Sequence, residues 1–255
     1  MDELRFDGQA VIVTGGCRGI GRGIAQRFAE AGANVLVCCR REPESLPDGV
    51  AFFAADVREP EQVDAVLTDC VRRFGRVDVL VNNAGGSPPA DSATASPRFT
   101  AGIIAINLTA AIVFSQRASA VMQGQEQGGT IVNIASVSGT RSSPATLAYG
   151  AAKAGLLNAT KTMAVEFAPK VRVNAVIAGL VITEQAHLWY GDEAGITAVG
   201  ATVPLGRMAD VTDVADVCLF LASPYARYVS GAEILVHGGG EKPAFIGSAK
   251  NSAPD

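Results

Sequence analysis

The sequence is short of the residues that build metal centres, disulfide scaffolds and nucleic-acid surfaces. Its 255 residues include two histidines, His187 and His237, so a histidine-based metal site is not expected. The five cysteines, Cys17, Cys38, Cys39, Cys70 and Cys218, match no zinc-ligand spacing. Their odd number fits a reduced, intracellular protein with free thiols. Lysine and arginine are scattered and the net charge is −4, which argues against a nucleic-acid partner. The first residues, Met1 to Asp7, are charged and lack a signal-peptide core. No uninterrupted apolar run reaches the length of a membrane span. These absences describe a soluble, cytoplasmic protein with no membrane or nucleic-acid partner.

What is present is a large hydrophobic fraction, 48%, enough for one sizeable core. The pattern alternates. Ala10–Thr14 is a continuous β-branched run, as in a strand buried on both faces. It leads into the glycine loop Gly15 to Gly21. A helical pattern follows, with Ile20, Ile24 and Phe28 in phase, and Ala31-Gly32 closes it. Asn34–Cys39 is the second strand, which completes one βαβ unit. Further strands are expected at Ala51–Ala54, Val77–Val81, Thr130–Ile134, Val171–Ile177 and Ala232–Val236. Helices are expected at Glu59–Phe74, Phe99–Met122, Tyr149–Phe167 and Val211–Leu221. About seven strands and six helices in alternation predict a single α/β domain, a doubly wound parallel sheet with helices on both faces. It spans residues 1–240; the polar stretch 241–255 reads as a loose or interface-docked tail.

Three stretches carry chemistry. A glycine loop between strand and helix lets backbone N–H groups approach a pyrophosphate, and the helix N-terminus favours its charge. Here the loop is Gly15-Gly16-Cys17-Arg18-Gly19-Ile20-Gly21, a spacing unlike the usual dinucleotide fingerprint. The end of the second strand selects the ribose substituent: an acid for a 2′-hydroxyl, an arginine for a 2′-phosphate. Cys38-Cys39-Arg40-Arg41 has no acid there, so NADP(H) is expected over NAD(H), with Arg40 and Arg18 on the phosphate. Finally, Tyr149 and Lys153 stand four apart on an expected helix, on one face. A free phenol titrates near pH 10, and an adjacent ammonium lowers that value, giving a tunable acid/base. Alone, the pair is equally an exposed helical coincidence.

Taken together these motifs resemble the short-chain dehydrogenase/reductase family, over about Gly8 to Gly240. The family's cofactor loop is matched by Thr14 to Gly21, its adenine-binding pair by Asp56-Val57, and its Asn-Asn-Ala-Gly motif by Asn82-Asn83-Ala84-Gly85. Its catalytic residues correspond to Asn107, Ser136, Tyr149 and Lys153. Ser136 is chosen over Ser138 because it lies 13 residues before Tyr149, the family's separation. After the sixth strand the family usually has Pro-Gly; here it is Ala178-Gly179, which removes a fixed φ from the loop. His237 stands where the family often has Asp, and is read as structural.

The resemblance implies a Rossmann fold and a carbonyl–alcohol oxidoreductase. Tyr149 would exchange a proton with the substrate oxygen, Ser136 would hydrogen-bond that oxygen, and Lys153 would tune Tyr149 and bond the nicotinamide ribose. Asn107 would hold a water linking Lys153 to solvent. Cofactor contacts are implied for Gly15, Cys17, Arg18, Gly19, Ile20, Gly21, Arg40, Asp56, Val57, Asn83, Ala84, Gly85, Gly179, Val181 and Thr183 as well. A homotetramer or homodimer is implied through the Phe99–Met122 and Tyr149 helices. Residues 183–203, with His187, Leu188, Trp189 and Tyr190, read either as an apolar lid or as a surface helix. An apolar lid points to a lipophilic substrate such as a 3-oxoacyl thioester, a steroid or another cyclic ketone. Other readings stay open: an NAD-dependent alcohol dehydrogenase of the same family, a catalytically idle dinucleotide sensor or scaffold, and a dehydratase or epimerase.

Overall fold

A computed structural model describes residues 4–243 and Phe245. Seven parallel strands form one sheet in the order β3-β2-β1-β4-β5-β6-β7. They are β1 Ala10–Thr14, β2 Asn34–Cys39, β3 Val50–Ala54, β4 Val79–Asn82, β5 Gly129–Ser136, β6 Val171–Ala178 and β7 Glu233–Val236. The helices are α1 Gly19–Glu30, α2 Pro60–Phe74, α3 Pro97–Ile104, α4 Ala110–Gln123, α5 Leu147–Glu166, α6 His187–Tyr190, α7 Glu193–Gly200 and α8 Val211–Ala222.

The central strands are buried on both faces, which is why they read as unbroken apolar runs rather than alternating ones. Odd and even residues of the same strand feed different cores. Val11, Val13, Val35 and Val37 pack under α1 and α8, with Ile24, Phe28, Val214 and Leu219. Ala10, Ile12 and Leu36 pack on the other face with Val63, Val66, Phe114 and Met163, from α2, α4 and α5. Fully burying one such aliphatic side chain stabilises by roughly 1.5–3 kcal/mol. The α/β/α sandwich is therefore dictated by strands with no polar face.

Local signals set the helix ends. Pro60 opens α2, and Gly75, at φ 78°, closes it in the left-handed conformation. Ser96 accepts from Phe99 N to start α3. Asp210 and Asp213 form a reciprocal capping box at α8. The single helix expected at Phe99–Met122 differs. It runs from Pro97 to Gln123, and a π turn at Ala105–Thr109 divides α3 from α4. This run is long and apolar enough to cross a membrane by length and composition, and a third of its most apolar stretch is buried against the domain.

The strand order reverses between β1 and β4, each of which is followed by a loop at the same edge of the sheet. A crevice outside the strand ends is expected at such a switch point. Thr14, Cys39, Asn82, Ser136 and Ala178 are the last residues of β1, β2, β4, β5 and β6, so the sheet delivers them to one edge. Most of the 241–255 tail lies outside the described residues.

Candidate active site

Beneath the site, a polar ladder crosses the core. Asn82 Nδ2 donates to Asn133 Oδ1 at 2.9 Å and to Ser115 Oγ at 2.9 Å. Asn133 Nδ2 donates to Thr160 Oγ1 at 2.9 Å, and Thr160 Oγ1 to Leu156 O at 2.8 Å. Asn82, Asn133 and Thr160 are all buried. Each such bond is worth about 1 kcal/mol, but stranding one partner costs about 1–3 kcal/mol. The ladder ties β4 and β5 to α5, the helix that carries Tyr149 and Lys153.

At the sheet edge, β5 presents Ser136 and α5 presents Tyr149. The Ser136 hydroxyl lies close enough to the Tyr149 phenol to favour its ionised form. Ser138, in the 3-10 turn Val137–Gly139, instead gives its backbone N–H to Ser136 Oγ at 3.2 Å. Lys153 is 4% exposed, and its Nζ donates to Ile134 O at 2.7 Å and stands 5.6 Å from the Tyr149 ring centroid. An ammonium has three donors, so two remain after Ile134. Burial alone brings the Lys153 ammonium down to about 8. Burial also pushes the Tyr149 phenol up, partly offset by Ser136. The Tyr149–Lys153 spacing leads to the expectation that Lys153 lowers the phenol; the largest influence on it here is desolvation, which acts the other way.

Asn107 sits in the π turn, 1% exposed. Its Nδ2 donates to Gly86 O and Ile103 O, both at 2.9 Å, and its Oδ1 accepts from Gly86 N at 2.8 Å. Both amide protons are taken, so the side chain acts as a clamp on the loop after β4. Gly85 fits beneath it because it lacks a Cβ, which would meet Asn107 Oδ1 at 2.4 Å and approach Lys153 Nζ to 3.6 Å.

The glycine loop is pinned from β4. Thr14 Oγ1 accepts from Asn83 N and Ala84 N, both at 2.9 Å, and Asn83 Nδ2 donates to Thr14 O at 2.9 Å. Gly21 abuts this contact: a Cβ there would meet Asn83 Nδ2 and Gly15 O at 2.4 Å. Gly15 N donates to Cys38 O at 2.9 Å. Ile20 packs against the α1-side core and Val57 against the other. Arg18, Arg40 and Arg41 are exposed beside the end of β2. Asp56 is held by Arg58 through Nε to Oδ1 at 2.9 Å and Nη2 to Oδ2 at 2.5 Å. Arg58, with a smaller contribution from Arg40, keeps this carboxyl below its usual range against the effect of burial.

On the far side, Gly179 N donates to Val236 O at 2.9 Å, and a Cβ on Gly179 would meet His237 Cβ at 2.7 Å. The Ala178-Gly179 turn is thus fixed by β7 without a proline, and His237 is part of that packing. Val181 bridges to Ala209, and Thr183 lies close to Gly19. The 183–203 segment forms two short helices, α6 and α7, that the sequence reading treated as one stretch. Burial raises the Tyr190 phenol, Leu188 is exposed, and the Trp189 side chain lies outside what the structure describes.

Two features went unread in the sequence. Glu184 reaches the N-terminus of α1: Gly19 N donates to its Oε1 at 2.9 Å and Oε2 at 3.1 Å. A carboxylate therefore stands where the helix N-terminus favours an anion. The only cue was an acid beside Thr183. Second, Cys17 and Cys39 form a disulfide, with Cα atoms 6.4 Å apart. This pair departs from the reduced state that the odd cysteine count suggests; Cys38, Cys70 and Cys218 are free, and all three are buried. No spacing rule links cysteines 22 residues apart; the βα loop brings them together.

These residues fit a dinucleotide: a bare glycine cradle, a helix N-terminus already holding an anion, and a buried lysine with two donors to spare. A sequence profile described as enoyl-(acyl carrier protein) reductase matches residues 15–241. The chain belongs to the short-chain dehydrogenase/reductase family. It is 36% identical to the 3-oxoacyl-[acyl-carrier-protein] reductase of Vibrio cholerae, over 92% of this chain and 98% of that one. It is 34% identical to a 3alpha-hydroxysteroid dehydrogenase of Mediterraneibacter gnavus, over 92% and 98% of the two chains. The ligand-free aldohexose dehydrogenase of Thermoplasma acidophilum superposes with a TM-score of 0.87 at 31% identity, covering 99% of this chain and 98% of that one. This short-chain dehydrogenase/reductase is accordingly an oxidoreductase of CH–OH donors, in a family that uses NAD(P).

Proposed function

We propose that the protein is an NADP(H)-dependent reductase of lipophilic carbonyl compounds, working reversibly on the matching secondary alcohols. The observation that carries this reading is the convergence of Ser136, Tyr149 and Lys153 at the switch-point edge, with arginines and no acid after β2. Gly15, Gly19, Gly21, Asn83, Ala84, Gly85, Gly179, Val181 and Thr183 line the cofactor's course, with Cys17, Arg18, Ile20, Arg40, Asp56 and Val57 at its adenosine end. When bound, the nicotinamide supplies or accepts the hydride.

The chain's own residues manage the oxygen and its proton. Ser136 Oγ and Tyr149 Oη both reach one substrate oxygen and hold it as charge develops there. Tyr149, kept protonated by burial, gives its proton to that oxygen in reduction and takes it back in oxidation. Lys153 places a positive charge behind Tyr149 and offers its two remaining donors to the ribose hydroxyls. Asn107 is a positioning residue. With its side chain saturated, a water linked to Lys153 would be held by the backbone of the π turn rather than by the amide.

A small hollow is lined by Ser87, Ala90, Ser92, Phe99, Thr146 and Ala148, the last next to Tyr149 in the chain. Its lining is about evenly polar and apolar; the preference for a 3-oxoacyl thioester, a steroid or a cyclic ketone over a sugar rests on the apolar residues of the 183–203 segment. The segment 183–203 would close over it as a lid. The largely unburied apolar surface of the Pro97–Gln123 run supports a homotetramer or homodimer that covers it. The test is a panel of ketones and secondary alcohols followed at the reduced-nicotinamide absorbance. Turnover of apolar ketones with NADPH supports the reading; turnover of aldoses alone, with NAD, replaces it.

A further inference from the structure

We propose that Cys17 and Cys39 are a redox modification site that sets how tightly the adenosine end of the groove holds the 2′-phosphate of NADP(H). The proposal rests on the cofactor reading above. Cys17 lies in the glycine loop and Cys39 is the last residue of β2, the two elements that bracket the adenosine ribose in a βαβ cofactor site. Their meeting is built into the loop. Gly16 lies against β2, where a Cβ would meet Val37 Cγ1 at 2.4 Å. That approach carries the next residue, Cys17, to the side of Cys39, two residues beyond Val37.

The pair differs from the other cysteines. Cys38, Cys70 and Cys218 are buried, and burial pushes the first two thiols up to about 12, where they stay protonated and inert. Cys17 and Cys39 are half-buried and next in sequence to the exposed Arg18 and Arg40.

The step is thiol–disulfide exchange. A dithiol reductant, small molecule or protein, transfers two electrons and two protons to the Cys17–Cys39 bond. That bond breaks to two thiols, and the reductant closes its own disulfide. While the bond is present, the loop is tethered to the end of β2 and neither sulfur carries a proton to donate. Once it is broken, the loop can open around a phosphate, Cys17 and Cys39 regain S–H donors, and Arg18 and Arg40 can converge on the anion. NAD(H), with a hydroxyl at that position, gains little from the change.

The experiment uses the whole protein, equilibrated either with oxidised glutathione or with dithiothreitol. Denaturing alkylation and intact mass count the thiols; calorimetry then gives NADPH and NADH dissociation constants. We expect three thiols in the oxidised sample and five in the reduced one. Reduction should tighten NADPH by about tenfold, the worth of one charge-assisted hydrogen bond, and leave NADH nearly unchanged. The Cys17→Ser, Cys39→Ser double variant should bind NADPH alike with and without dithiothreitol. Five thiols in both samples, equal NADPH affinity in both, or a redox response that persists in the double variant would each overturn the switch while leaving the cofactor reading intact. Binding of neither nucleotide in either sample would overturn the cofactor reading and the switch with it.

Discussion

The two ends of the groove are built on opposite principles. At the reaction end, Lys153 and Asn107 are almost wholly buried and every polar contact is made inside the domain. At the adenosine end, Arg18, Arg40 and Arg41 are exposed, and their surroundings are a disulfide and a solvent-facing loop. A buried polar group must be satisfied or it destabilises the fold, so the reaction end is fixed before any ligand arrives. The adenosine end can be rearranged at little cost. On the proposed function, chemistry falls to the rigid end and cofactor choice to the adaptable one.

Lys153→Ala is the largest disturbance of the rigid end. It removes the charge behind Tyr149 and the donors proposed for the ribose together, and should lower kcat/KM by about a thousandfold or more. A loss under tenfold in steady-state assays would show that the buried ammonium is structural. A pH profile sharpens the same point. Lys153 loses its charge as pH rises through about 8, because burial favours the neutral amine. Reduction needs both the ammonium and a protonated Tyr149, whose pKa is raised, so the lysine limits first. The rate should be level below pH 8 and fall about tenfold per unit well above it; a level rate to pH 10 would break the assignment.

The adaptable end should respond in affinity rather than turnover. Arg40→Asp replaces the proposed phosphate partner with a repelling carboxylate. NADPH should weaken by about tenfold to a hundredfold, with NADH held as well or better. Unchanged NADPH binding in calorimetry would move the 2′-phosphate elsewhere. The smallest change is expected from Glu184→Gln. Its carboxylate occupies Gly19 N, the place the proposed function gives to a pyrophosphate. Neutralising it should tighten both nucleotides by about twofold to fivefold, the scale of a charge at a helix end. Weaker binding would mean that Glu184 helps hold the cofactor rather than competing with it.

How much of this was legible in the sequence follows the same division. The central strands announced themselves because each is buried on both faces, and the sheet edge followed from their ends. Tyr149 and Lys153 could be paired from their four-residue spacing on one helix face, whereas Ser136 was singled out only by the 13-residue separation of the family the sequence resembles. The π turn at Ala105–Thr109 was not, since one extra residue in a helical turn leaves no mark in an apolar pattern. Nor was the direction of the Tyr149 shift, which depends on enclosure by residues distant in the chain. Glu184 and the Cys17–Cys39 pair escaped for the same reason: each is a contact between segments that only the folded sheet brings together.

The central claim is that Tyr149 moves the proton for a carbonyl reduced from NADPH. Tyr149→Phe keeps the ring and its packing and removes one oxygen. Wild type and variant should be compared side by side, by NADPH consumption with the best ketone of the panel and by NADPH affinity in calorimetry. The account predicts a loss of turnover of about a thousandfold or more with affinity held within a few-fold. Turnover in the variant equal to that of the wild type would contradict it.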